Sequence, residues 1–452
     1  MRGVSFLARL VAIGAAVTAA ACTGSSGSSS VPPSPSGPPA GSQIKHVVII
    51  VQENRSFNDL FYGFPGADTV GYGYDEVGDK IELQPIGFKT TWDIDHSSYS
   101  FFSACNGTGS YPGTDCRMNG FEHESVGCGT GSYPPCPVRY PPYAYVPRVE
   151  TRPYFAMAHQ YVLADRMFAS NFDASSFISH QYIIAAQASS AVNYPDSDWG
   201  CEGGPADKIG TVTLQRTLYG SYIPTCFENR TLGDELDSAG LPWAFYAASY
   251  SSGSYISIWS AYQAIKHIFY GPDWEKDVLP NTQFFSDVAD GKLRTVSWIT
   301  PAWPNSDHSG SDSDTGPSWV ASLVNAIGKS RYWNSTAIFI FWDDYGGWYD
   351  RVPPPFVDYD GLGLRIPLLV ISPYAKKGYI SHVQYEHGSM LKFIEDRFGL
   401  PRLAASDTRA NSPLEDCFDF SQPPRPFVSI PAPYDEAFFR HQRVGLHAPD
   451  NE

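Results

Sequence analysis

Positive charge is scarce in this sequence. Its 452 residues carry 31 Lys and Arg against 47 Asp and Glu, a formal net charge of −16. That is the wrong sign for neutralising a phosphate backbone, so nucleic-acid binding is excluded as a function class. Charged residues of both signs amount to 17%, against 42% hydrophobic residues. The chain is too apolar for intrinsic disorder and has the means to bury a large core. No C-x-x-C pair occurs among its 8 cysteines, which argues against a structural zinc. No internal repeat and no second linker interrupts the body, so the roughly three domains that length alone suggests reduce to one. What is abundant is Gly (40), Pro (37) and aromatics (27 Phe, 28 Tyr, 11 Trp), the signature of a globular protein with long irregular loops. Function in such a protein usually sits on those loops.

The amino end lacks a membrane-spanning run. Arg2 and Arg9 precede a mostly apolar stretch, Leu10–Ala21, that is too short and too rich in small residues to cross a bilayer and reads as an export signal over residues 1–21. Ala19, Ala20 and Ala21 directly precede Cys22, which resembles the lipobox of bacterial lipoproteins. Lipidation at Cys22 is the expectation, with simple cleavage before a plain thiol as the alternative. From Gly24 to Ser42 only Gly, Ser, Pro, Val and Ala occur. Residues 22–42 therefore read as a solvated tether, and residues 43–452 as the body. The protein is expected outside the cytoplasm, secreted or touching a membrane through a lipid at Cys22. Export permits disulfides. Sequence proximity favours pairing of Cys105, Cys116, Cys128 and Cys136 among themselves and of Cys201 with Cys226, leaving Cys417 free.

Short apolar runs begin at His46–Val51 and recur at Leu241–Tyr246, Thr295–Ile299, Ala337–Trp342 and Ile366–Ile371. Helix-period stretches lie between them at Phe177–Ala188, Ser318–Ile327 and Ser389–Phe398. Alternation of this kind predicts an α/β fold with a mostly parallel sheet between helices. The Gly-, Tyr-, Pro- and Cys-rich segment from about Gly71 to Val146 is expected as an insertion over the sheet edge.

Ligands of an open parallel sheet gather beyond the carboxyl ends of its strands. Two strands here end in acids. His46–Val51 runs into Gln52-Glu53-Asn54-Arg55, and Ala337–Trp342 runs into Asp343-Asp344-Tyr345-Gly346-Gly347. A carboxylate and an amide oxygen from one loop with two adjacent carboxylates from another form a hard oxygen set suited to a divalent cation. Such residues also cap helices that follow strands. The adjacent pair Asp343-Asp344 favours the cation, because neighbouring like charges repel unless something offsets them. Gly346 and Gly347 are expected to let backbone approach the site closely.

Several segments carry a resemblance. IKHVVIIVQENRSFNDLFYGFPGAD at residues 44–68, DIDHSS at Asp93–Ser98, RMNGF at Arg117–Phe121, VLADRMFASNFDASSFISHQY at Val162–Tyr182 and WITPAWPNSDHSG at Trp298–Gly310 occur in that order. They are followed by IFIFWDDYGGWYDRVPPP at Ile338–Pro355 and by Arg365–Leu400. Together they are similar to the bacterial phosphoesterase family that holds phosphatidylcholine-type phospholipases C and acid phosphatases, within the alkaline phosphatase-like superfamily. The match spans nearly the whole body.

The resemblance implies a three-layer α/β/α sandwich, here with long loop insertions, and a metal-bound hydroxyl nucleophile. In the acid phosphatase branch one metal is held by a Glu-Asn pair, a serine and an Asp-Asp pair. By motif position these are Glu53, Asn54, Ser176, Asp343 and Asp344. An oxygen-only set accepts several divalent ions, so the identity of the ion stays open. The nucleophile follows from counting back six residues from Tyr182 to Ser176, with Ser175 and Ser179 as neighbours able to compete. A serine here also caps the helix that follows, and a helix amino end suits a phosphate. Protonating a leaving alcohol calls for a histidine, with His308 the first choice and His96 a second phosphate-contacting group. His382 and His387 are read as supporting or structural, and Arg55 as either a phosphate contact or an acid's partner. Asp350, Arg351 and Asp165 are assigned turn, ion-pair and structural roles.

Three departures bear on substrate. A serine stands where phospholipase-type members often have threonine, W-D-D stands for Y-D-E, and the chain ends soon after the body without further β domains. All lean toward a phosphomonoesterase of acid phosphatase type, with phospholipase C acting on phospholipid headgroups as the alternative. A non-catalytic carbohydrate-binding lipoprotein is a distant third, since a pure binder has no need of Glu53, Asn54, Asp343 and Asp344 together. The sulfatase signature C-x-P-x-R is absent.

Overall fold

Val47, Val48, Ile49, Ile50 and Val51 are all β-branched and all buried, a run suited to a strand covered on both faces. In the computed structural model this run forms β1 (His46–Gln52). The structure describes residues 41–129, 135–196, 199–248 and 259–443. The expected export segment, Cys22 and the tether through residue 40 lie outside the described residues. By its internal contacts the chain divides into two units, and Ala40–Glu452 holds everything described below.

Eight further strands join β1 in one sheet: β2 (Val162–Phe168), β3 (Trp243–Ala247), β4 (Val278–Pro280), β5 (Val296–Ile299), β6 (Thr336–Trp342), β7 (Arg365–Ile371), β8 (Tyr379–Ser381) and β9 (Tyr385–Glu386). Their spatial order is β4-β3-β5-β1-β6-β7-β2-β8, with β9 also on β2. Neighbours run parallel except β7, which is antiparallel to both β6 and β2. Ile366–Ile371, expected among parallel strands, is thus reversed. The physical reason is its connection: the segment between β6 and β7 contains no crossover helix, and without one the chain turns back instead of crossing over. β2 was not foreseen as a strand, because Asp165 and Arg166 interrupt its apolar run. Burial of Asp165 is tolerated because it accepts from the Asp68 amide (3.0 Å) and pairs with His382 Nδ1 (2.8 Å).

The helices that matter here are α1 (Ser98–Cys105), α2 (Arg152–Gln160), α3 (Ser176–Ala185), α4 (Gln283–Asp290), α5 (Gly316–Gly328) and α6 (His387–Phe398). They cover both faces of the sheet, as the alternation along β6 shows. Phe339 and Phe341 point to α6, with ring centroids 4.9 Å from Phe393 and 5.3 Å from His387. Trp342, on the other face, meets Tyr154 of α2 at 5.0 Å. Helix α5 lies against α2 and α4, and α3 against α6. No helix among the described residues is long and apolar enough to cross a membrane.

Described residues of the Gly71–Val146 segment pack beyond the carboxyl ends of the central strands β1 and β6, where the Tyr349 amide donates to the Pro142 carbonyl (2.9 Å) and Tyr345 Oη donates to Glu124 (3.0 Å). A separate apolar cluster forms there from Phe101, Phe121, Tyr143, Phe172, Tyr345 and Tyr349, among others. Disulfides Cys105–Cys116 and Cys128–Cys136 pin this segment, Cys201–Cys226 closes a later loop, and Cys417 is free and buried.

Candidate active site

Register brings the two acidic loops together. Gln52 of β1 stands opposite Trp342 of β6, so Glu53 and Asp343 leave the sheet at the same height, and the Asp343 amide donates to the Gln52 carbonyl (3.0 Å). The chain then turns sharply at Asn54, which is in the left-handed region with φ 54°. Gly346 packs against that turn: a Cβ added there would lie 2.2 Å from the Asn54 carbonyl oxygen, a position open to glycine alone. Its amide donates to Asp344 Oδ1 (2.7 Å).

Helix α3 delivers the hydroxyl. Ser175 is its N-cap residue and its Oγ turns away, donating to the Asn193 carbonyl (2.9 Å). Ser179 Oγ instead accepts from Asn171 Nδ2 (3.4 Å). Ser176, the first helical residue, places Oγ 3.4 Å from Asn54 Nδ2 and 3.5 Å from Glu53 Oε2. One turn further on, His180 faces the same way, its Nε2 lying 3.1 Å from Glu53 Oε1 and 3.8 Å from Asp343 Oδ2. His180 is the residue that the sequence reading missed. Its signal was the four-residue spacing from Ser176 on a helix.

Glu53, His180 and Asp343 offer ligand atoms that all lie within 4.8 Å of one another, a grouping able to hold a metal ion. The fit is supported by what surrounds them. All three are fully buried, and Asp343 Oδ1, Asp343 Oδ2 and Asn54 Oδ1 have no hydrogen-bond partner. Burial and the facing Glu53 carboxylate push Asp343 up to about 8, and burial holds His180 down to about 4. Facing carboxylates in such a setting need a cation or a shared proton. In this grouping His180 offers a nitrogen beside the oxygen-only set expected from the sequence. Asp344 is one step removed from the three: its Oδ2 accepts from Asn54 Nδ2 (3.2 Å), and it braces that amide.

Loops above the sheet supply two buried histidines. His96 Nδ1 donates to the Ile94 carbonyl (2.8 Å), leaving Nε2 to accept from Asn54 Nδ2 (2.8 Å). His308 stands edge-on to it with ring centroids 5.8 Å apart, packed against Trp303 at 4.7 Å. Its Nδ1 donates to the Ser309 carbonyl and lies 3.7 Å from Asp93 Oδ2.

Other expected residues stand apart from this group. Arg55 pairs with Asp59 (3.3 Å), donates to the Asp307 carbonyl (2.7 Å) and stacks over Trp348. His387, held down to about 3 by burial, braces β6 from behind by donating to the Trp342 carbonyl (3.4 Å). The side chain of His382 is 62% exposed and pairs with Asp165. Asp350 makes a buried ion pair with Arg365 (3.0 Å), while Arg351 meets Asp68 nearer the surface.

Comparison with known proteins bears on this geometry. A model of the Phosphoesterase family matches residues 44–401. Phospholipase C B of Mycobacterium tuberculosis is 24% identical over 435 residues, covering 85% of this chain and 79% of that protein. Non-specific phospholipase C3 of Arabidopsis thaliana is 24% identical, covering 80% of this chain and 71% of that one. Non-hemolytic phospholipase C of Pseudomonas aeruginosa is also 24% identical, over 86% of this chain and 59% of that protein. Among solved structures, a protein in the alkaline phosphatase superfamily from Vibrio parahaemolyticus is similar at 11% identity and a TM-score of 0.35, covering 81% of this chain and 69% of that one.

Proposed function

From the premise that this chain belongs to the Phosphoesterase family and is a phosphoric-ester hydrolase, we propose that Ser176 is its nucleophile and that the reaction proceeds in two steps through a phosphoserine. One observation carries the reading. Ser176 Oγ lies between Asn54 Nδ2 and Glu53 Oε2 at the amino end of α3, while Ser175 Oγ is committed to the Asn193 carbonyl. The Ser176 hydroxyl, oriented by Glu53, loses its proton to solvent as the Oγ–P bond forms and the ester P–O bond breaks; in the second step water attacks the phosphoserine, phosphate leaves and the Ser176 hydroxyl is restored. The departing alcohol takes its proton from His308, whose ring is fixed by the Ser309 carbonyl and the tryptophan beside it. His96 keeps the Asn54 amide aimed at Ser176. The amino end of α3 favours the negative charge of the phosphate. One divalent cation, held by Glu53, Asn54, Asp343 and His180 beside Ser176 and Asp344, would supply Lewis-acid activation of the hydroxyl and the phosphate.

For substrate, a phosphodiester of the phospholipase C kind is the first reading, supported by the phospholipases C to which the chain is similar. The second, a phosphomonoester, is favoured by the serine at 176 and by Trp342-Asp343-Asp344 in place of Y-D-E. Ser176→Ala is expected to lower kcat by at least about 10³-fold, the scale of losing a covalent nucleophile, with Ser175→Ala within about tenfold of the parent. Full activity in Ser176→Ala removes the proposal. Release of phosphocholine from phosphatidylcholine, set against release of phosphate from p-nitrophenyl phosphate, separates the two substrate readings.

A further inference from the structure

Asp307 stands directly before His308 in the chain and is fully buried, yet the proposed reaction leaves it without a part. Its carboxylate is a junction. Oδ2 accepts from Tyr154 Oη of α2 (2.6 Å) and from Trp342 Nε1 at the end of β6 (3.1 Å). Oδ1 is closed off by the first turn of α5, where a Cβ added to Gly316 would lie 2.1 Å away. The main-chain carbonyl of Asp307 accepts from Arg55 Nε (2.7 Å).

Two of these ties lead back to the centre. Arg55 follows Asn54 and Trp342 precedes Asp343, so the loops after β1 and β6 both grip the residue next to His308. Arg55 is in turn held by Asp59 (3.3 Å) and by the face of Trp348, 4.4 Å from its ring centroid. Arg55, Asp59, Tyr154, Asp307 and Trp342 are all buried, which keeps water from competing for these bonds. The contacts of the His308 ring with the Ser309 carbonyl and Trp303 lie within its own loop. They fix the ring to the loop, whereas Asp307 fixes the loop to the strand ends that carry Glu53, Asn54, Asp343 and Asp344.

We propose that Asp307 is a positioning residue for His308, holding the imidazole where it meets the oxygen of the departing alcohol. The inference rests on the reading of His308 as the proton donor. Proton transfer needs donor and acceptor within hydrogen-bond reach, and a displacement of about 1 Å can cost about 10²-fold in rate. Such a role is felt only where a proton must be delivered. A p-nitrophenolate departs without one, whereas an alkoxide is too basic to leave unprotonated. Lost alignment therefore separates the two kinds of leaving group, while loosened packing lowers both alike.

The test measures kcat/KM on two esters that share the transferred group and differ in the leaving alcohol. For a monoesterase these are p-nitrophenyl phosphate and glycerol phosphate; for a diesterase, p-nitrophenyl phosphorylcholine and phosphatidylcholine. His308→Ala sets the scale, with an expected loss of about 10²–10⁴-fold on the alkyl ester and a far smaller one on the nitrophenyl ester. Asp307→Ala is expected to lower the alkyl ester by about 10²-fold and the nitrophenyl ester by about threefold at most. Tyr154→Phe removes a single bond to Oδ2, keeps the packing, and is expected to show the same split at about tenfold; it carries the test if the alanine variant does not fold. Equal losses on both esters in Tyr154→Phe overturn the inference, and so do kinetics like those of the parent. A split in His308→Ala without one in Tyr154→Phe removes the inference and leaves the proton donor standing. No split in His308→Ala removes the proton donor and the inference with it.

Discussion

The sheet and the loop layer above its carboxyl ends are two regions built from different residues. In the sheet, β1 and β7 are buried almost throughout and rich in Val, Ile and Leu. In the loop layer the apolar cluster is aromatic, and its rings meet edge-on or stacked, Phe121 on Tyr349 at 5.1 Å and Tyr143 on Tyr349 at 5.0 Å. Aliphatic strands need a regular backbone to satisfy their amides. Tyrosines fill space in irregular chain and satisfy their own hydroxyls, as Tyr143 Oη does on the Tyr74 carbonyl (2.9 Å). The candidate site lies at the seam. Glu53 and Asp343 are placed by strand register, His96 and His308 by ring packing and loop hydrogen bonds.

The comparison can be broken hardest at its hinge. His180→Ala is expected to strip the metal and lower activity by more than the roughly 10–100-fold that loss of a supporting hydrogen bond around a metal costs; metal content by mass spectrometry, with activity, checks it. Next come adjacent residues in the loop after β6. Asp350→Ala leaves Arg365 buried without its partner and is expected to destabilise the fold by about 3–5 kcal/mol, whereas Arg351→Ala, at a pair whose arginine is 46% exposed, should change stability by less than about 1 kcal/mol. Denaturant unfolding of the two variants reads that contrast.

The staples come third. Replacing Cys105 and Cys116 by serine opens a link of sequence separation 11, an effect of about 2–3 kcal/mol on chain-entropy grounds. Limited proteolysis should then cut near residues 105–116 while cutting in the sheet stays unchanged. The smallest effect is one of pH. Burial pushes Asp360, which accepts from Tyr182 Oη, up to about 7 from an ordinary 3.8. Its protonated form is favoured by folding, so its contribution is complete below about pH 4 and is lost as pH rises through 7. Tm is expected to be higher at pH 5 than at pH 8, and Asp360→Asn to narrow the gap by about 3 °C. Asp59 and Asp307, also raised to about 7 by burial, keep the remainder.

The same contrast explains what could be read in advance. Five apolar runs became strands because burial on two faces leaves a continuous apolar signature. The reversed direction of β7 left no such mark, since direction depends on the connection and not on the strand's own residues. Glu53, Asn54 and the Asp343-Asp344 pair stood out because they follow strands directly. His180 did not, because a helix taken to start at Phe177 makes Ser176 a cap and hides the four-residue relation between them.

The pairing of Gln52 with Trp342 works as a ruler. One residue along a strand advances about 3.3 Å, most of the 4.8 Å within which the Glu53, His180 and Asp343 ligand atoms are gathered. A single deletion inside β1 or β6 would therefore misplace one wall of the cage by most of its own width. Insertions in the loops above leave that gauge untouched. Length is fixed along these two strands and along the turn of α3 that sets Ser176 and His180 four residues apart.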